Sequence, residues 1–120
     1  MDNLTDAISE ALIANHLRTE IYADEREYIV GVLLPAAWDF CSQFINRDVY
    51  PNLADMAAAI ADPVLLTKAP MVYSPAFRAA VLLVLGHLYR NREGVADSKL
   101  IELPLGARAL LWPLRANLGV

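Results

Sequence analysis

Two histidines, one cysteine and a group of carboxylates are the residues of this chain whose types suit chemistry, and their spacing argues against catalysis. His16 has Glu20 one helical turn later. His87 has Tyr89 and Glu93 nearby, but not at the separations of three or four that set ligands on one helix face. Neither histidine makes a metal site alone: His16 reads as a solvated helix end, His87 as the flank of a packed helix. Asp24, Glu25 and Glu27 would serve as acid and base only in a cleft with a perturbed pKa, whereas this trio opens a helix, where negative charge suits the dipole. Cys41 stands alone, which excludes an internal disulfide and a cysteine-built zinc site, and its apolar neighbours make it a buried small hydrophobe. The five glycines form no phosphate-cradling loop. No catalytic, cofactor-binding or metal residue emerges, so the chain reads as a non-enzyme with no cofactor.

The elements that carry these residues are helical. Thr5 is placed to cap a first helix whose apolar stripe is Ala7, Ile8, Ala11 and Leu12, with Ile13 at its margin. Asp24, with Glu27 three residues on, predicts the start of a long second helix. On it Ile29, Leu33, Ala37, Phe40 and Phe44 share a face, widened by Val30, Cys41 and Ile45, until Asn46-Arg47-Asp48 breaks the pattern. Pro35 predicts a kink inside it, with a break as the second outcome. Residues 49–73 read as a connector with one short helix over Leu53 to Ala61, and Val64 to Leu66 as at most a short extended piece. Ser74-Pro75, a capping hydroxyl followed by proline at the first helical position, starts a central helix expected to run to about Asn91, with Gly94 as the stop. Ala107 to Trp112 form a last short helix that Pro113 bends or ends.

The expected fold is therefore all-α: a small bundle of four to five helices with a long second helix, a central buried helix and a short C-terminal helix. A chain of 120 residues suits a single domain over residues 1–120. Residues 98–120 carry too many apolar side chains for a free tail, and they read as a segment loosely docked in the monomer and ordered by a neighbour.

Composition points to partners. The apolar share is 57%, above the roughly 45–50% of ordinary soluble domains, and a small domain must leave part of that surplus outside, which favours self-association. The longest charge-free apolar runs, Tyr28 to Trp38 and Ala79 to Leu88, fall short of the roughly 20 residues that span a bilayer, and the first residues have no basic-then-apolar signal, so a cytoplasmic, non-membrane protein is expected. Residues 1–27 hold seven acids and two bases, net −5, while the rest hold seven acids and eight bases, net +1. No basic cluster beyond Arg90 and Arg92 offers a grip on DNA.

The central helix is apolar all round. Phe77, Ala80, Val81, Val84 and Leu88 gather on one side as a core stripe, while Ala79, Leu82, Leu83 and Gly86, with Tyr89 at the edge, lie opposite. That second face is covered either by the flanking helices or by a neighbouring subunit. In the second case Ala79 and Gly86 admit a close backbone approach. Arg92 and Glu93 read either as part of a solvated helix end or as an intersubunit or interelement ion pair that fixes register.

The order of these motifs resembles a known family. The proline-started helix ending in Leu88-Tyr89-Arg90-Asn91-Arg92-Glu93, then Leu103-Pro104 and Ala109-Leu110-Leu111-Trp112-Pro113-Leu114-Arg115, is similar to the head-tail connector, or neck adaptor, proteins of tailed bacteriophages and prophages. Leu4-Thr5-Asp6-Ala7, Leu17-Arg18 and Asp24-Glu25 extend the likeness to the N-terminal half. The resemblance implies a homo-oligomeric ring, a dodecamer in the virion. That ring would dock beneath the portal protein and offer a landing surface to a stopper or tail-completion protein. DNA would pass through the channel without sequence-specific binding. It places the protein in the virion neck, and in the host cytoplasm during assembly. Portal docking falls on Leu110, Leu111, Trp112 and Leu114. The alternative is a small helical interaction or regulatory module of antitoxin or adaptor type, which should form a closed dimer.

Overall fold

Ser9, not Thr5, starts the first helix. The computed structural model describes residues 4–62, 69–91 and 104–116. In it Leu4–Asp6 form a 3-10 turn, and the Ser9 hydroxyl accepts the Leu12 N–H to cap α1 (Glu10–Leu17). Thr5 is too far upstream because the chain turns once more to bury Leu4, Ala7 and Ile8. Of the described residues 73% are helical and 4% lie in strands, so the fold is all-α.

The second helix, α2 (Ala23–Ile45), also starts earlier than expected. Its N-cap is Tyr22, with no side-chain cap, and Asp24 and Glu25 sit inside the first turn. A two-pronged ion pair supplies the anchorage that a cap would have given: the Arg26 guanidinium donates to Glu10 at 2.6 and 3.0 Å and ties α2 to α1.

Pro35 does not break α2. The five residues Ile29–Leu33 form a π-turn, whose closing bond runs from the Leu34 N–H to the Ile29 carbonyl, immediately before the proline that has no N–H to give. Widening the turn relieves the clash of the proline ring with the preceding coil. It also inserts one residue into the helical phase. The core stripe beyond it falls on Leu34, Ala37, Trp38, Cys41 and Ile45, while Phe40 turns outward and Phe44 is half-buried. A strict 3.6-residue period put Phe40 and Phe44 inside; about 100° of phase shift moves the stripe by one residue.

With the charged first turn included, α2 is 23 residues long with a mean hydropathy of 1.4, enough in length and composition to cross a membrane. The charge-free-run criterion missed this because it stopped at Asp39. Within the domain, the stripe that makes α2 apolar packs against the central helix.

Asn46, in left-handed conformation at φ 55°, ends α2 as the sequence indicated. Two parallel strands of two residues follow, β1 (Val49–Tyr50) and β2 (Met71–Val72), pairing Val49 with Met71 and Tyr50 with Val72. This pair was not foreseen; two residues show no alternation to read. Between them lies α3 (Leu53–Ala61), capped by Asn52, whose side chain accepts the Asp55 N–H at 2.7 Å. The expectations for Val64 to Leu66, for Gly94, and for the 98–103 and 117–120 portions of the tail fall outside the described residues.

Ser74 and Pro75 start the central helix, α4 (Pro75–Arg90), with the Ser74 hydroxyl accepting the Phe77 N–H. The second half of α2, the C-terminal helix α5 (Leu105–Leu111) and α1 all pack on it. Pro113 ends α5 in a 3-10 turn over Trp112–Leu114. The Ala116 N–H then reaches the Ile45 carbonyl at 2.9 Å, fastening the chain to the end of α2. Among the described residues none of polar or charged type is buried, so the core is held mainly by apolar contact.

Candidate assembly surface

The two faces of the central helix settle inside one chain. Phe77, Ala80, Val81, Val84 and Leu88 are buried, and so are Leu82 and Gly86 on the opposite side. The α1 helix covers part of that second side: the space where Gly86 lacks a Cβ is filled by the His16 ring, whose Nε2 lies 3.2 Å from where a Cβ would stand. The α5 helix covers another part, with Gly106 against the Leu83 side chain. Of the residues assigned from the sequence to a subunit contact, Leu82 and Gly86 are thus core of the monomer. Ala79, Leu83 and Tyr89 are half-buried, and Arg92 and Glu93 lie outside the described residues. Close backbone approach at Gly86 does occur, but the guest is a side chain of the same molecule.

His16 is accordingly not a solvated helix end. Loss of water around its ring lowers its pKa from the ordinary 6.5, the Arg90 guanidinium lowers it further, and the hydrogen bond to the Leu82 backbone opposes both. Arg90 is the charged group that faces it from α4. The unfolded chain therefore takes up a proton that the folded chain resists. Stability contributed here is present above the ordinary histidine pKa and is lost as pH falls below it, levelling off once the folded pKa is passed. Thermal melts at about pH 7.5 and about pH 5.5 should show lower stability at the acid value, with the difference reduced in His16→Gln. An equal difference in that variant would assign the effect to the carboxylates.

Asp24, Glu25 and Glu27 occupy the outer first turns of α2, and among the described residues no group of three or more His, Cys, Asp or Glu could hold a metal. Cys41 is fully enclosed, and burial pushes its thiol up to about 12, the protonated and unreactive range.

An outward apolar surface does exist, at the C-terminal helix. Leu105 is 83% exposed and Trp112 48%, and together with Arg108, Ala109 and Pro113 they line a shallow, mostly apolar depression. Two guanidiniums flank the Trp112 ring, Arg108 at 5.9 Å and Arg115 at 5.0 Å from its centre; Arg115 also lies 5.1 Å from the Phe44 ring. Phe44 and Trp112 themselves stand 6.5 Å apart. The Arg115 Nε is buried with no hydrogen-bond partner among the described residues. Of the four residues assigned to portal docking, Trp112 is exposed, Leu110 and Leu114 are half-buried, and Leu111 is not available, being fully buried in the core on the inner side of α5. Sequence reasoning passed over Leu105, Arg108, Arg115 and Phe44. The arginines were readable, since they stand four residues before and three after Trp112; Phe44 was not, being brought there only by the fold.

The class these features define is an all-helical domain with an apolar core and an aromatic, cationic surface at its C-terminal helix. No family model, curated protein or solved structure matches the chain.

Proposed function

We propose that this protein is a structural subunit of a phage head-tail connector, one of a ring of identical chains that docks beneath the portal and offers a surface to a stopper or tail protein. The observation that carries the reading is the outward apolar surface of α5. The described residues enclose a continuous apolar core yet leave Leu105 and Trp112 in water, an arrangement whose ordinary explanation is a protein partner. Trp and Arg together are the residue types that concentrate binding energy at such contacts. DNA then passes through the ring ungripped, since no basic cluster beyond Arg90 and Arg92 offers a hold on its phosphates. On this reading the protein works in the virion neck, catalyses nothing and uses no cofactor.

Electron microscopy of the concentrated protein, with light scattering on the same sample, tests it. Rings of uniform diameter are expected. A closed dimer would overturn the reading in favour of a regulatory or adaptor module.

A further inference from the structure

The ring reading leaves open which surfaces meet, and the charge distribution along α2 names them. At one end of this helix Tyr22 is 59% exposed, with the exposed carboxylates Glu20, Asp24 and Glu27 around it in sequence. At the other end, beside Phe44, lies the depression lined by Leu105, Arg108 and Trp112, with Arg115 against the Trp112 and Phe44 rings, and residues 104–116 contain two arginines and no acid. The 20 residues from Asp24 to Phe44 span about 30 Å of helix. Because one helix separates the two poles, a chain cannot bring its own acidic end to its own basic depression.

We propose that the occupant of the Leu105–Trp112 depression is the Tyr22 region of a second copy of this chain. The aromatic ring of Tyr22 enters the apolar floor, and the carboxylates of Glu20, Asp24 and Glu27 meet the guanidiniums of Arg108 and Arg115. Among the described residues neither guanidinium is paired with a carboxylate; each lies over an aromatic ring, Arg108 is exposed and Arg115 is half-buried with its Nε enclosed, so Arg108 offers the more open N–H groups to a carboxylate from outside. Such a contact joins unlike surfaces, so each copy keeps one free pole and the assembly grows head to tail until it closes. The proposal rests on the ring reading for its biological sense and on charge and geometry for its partner.

Two full-length variants test it, each checked for an unchanged helical spectrum. One carries Asp24→Lys and Glu27→Lys, and the other carries Leu105→Asp and Arg108→Glu. Alone, each should lose self-association by roughly tenfold or more and run as a monomer under conditions where the wild type assembles. Mixed, they should form a one-to-one heterodimer and nothing larger, because the intact depression of the first takes the intact acidic end of the second. Variants that assemble like the wild type, or a mixture that stays monomeric, would overturn the proposal. So would a wild type that stays monomeric. Wild-type rings with unaffected variants would leave the connector reading standing and remove this contact; capped heterodimers beside open wild-type filaments would do the reverse.

Discussion

Val84→Asp and Leu82→Asp are both expected to abolish cooperative folding, although the two residues point to opposite sides of the central helix. Val84 is 1% exposed and Leu82 9%, and both belong to one continuous apolar cluster. A carboxylate placed at either site finds no buried polar partner among the described residues, so it must remain charged out of water or take up a proton; either course costs several kcal/mol. Against a total stability of about 5–15 kcal/mol that is a large fraction. Circular dichroism at neutral pH should show loss of helix in both variants. Leu105→Asp, at an exposed site, should stay within about 0.5 kcal/mol of the wild type. A folded helical monomer from Leu82→Asp would mean that the second face is not core.

Trp38 carries the next largest effect. Its indole N–H donates to the Val49 carbonyl at 3.0 Å, and its ring meets Phe77 edge-on at 5.0 Å and Tyr73 at 6.4 Å. One side chain thus joins α2, the strand pair and the central helix. Trp38→Ala should cost about 3–5 kcal/mol, from the lost burial of the ring together with the cavity it leaves. Trp38→Phe keeps most of the ring but leaves the Val49 carbonyl without its indole donor, for about 1–3 kcal/mol. Urea denaturation of the three proteins should place Phe between wild type and Ala. A Phe variant as stable as the wild type would show that the hydrogen bond contributes nothing.

Trp38 also marks where sequence reading stopped. Signals confined to a few neighbouring residues translated directly into structure. Ser74-Pro75 opened the central helix, Asn46 closed α2, Leu53 to Ala61 formed their short helix, and Pro113 ended the last one. What depended on distant parts of the chain did not. Trp38 was absent from the expected stripe because the π-turn shifts the phase of everything after it, and a proline alone does not say whether a helix will bend or widen. The second face of α4 looked available because its coverings, His16 from α1 and Gly106 from α5, come from the two ends of the chain. Leu111 looked like a docking residue for the same reason. The outward surface was half legible: Trp112 stood out by type, whereas Arg115 and Phe44 meet only after the C-terminal segment is fastened to Ile45.

The π-turn also bears on which changes of chain length the protein can absorb. A wide turn is an α-turn with a surplus residue, so removing one residue between Ile29 and Leu33 returns an ordinary helix while every side chain from Leu34 onward keeps its compass bearing. The same deletion anywhere else in α2 would swing the downstream half by about 100° and carry Trp38 away from Phe77. Pro35 sets the condition, because in an ordinary helix its ring would strike the coil before it. The surplus residue and the proline are a matched pair: deleting the one and replacing Pro35 by Ala leaves an unbroken helix with the same bearings, and deleting the residue alone leaves a proline with no room.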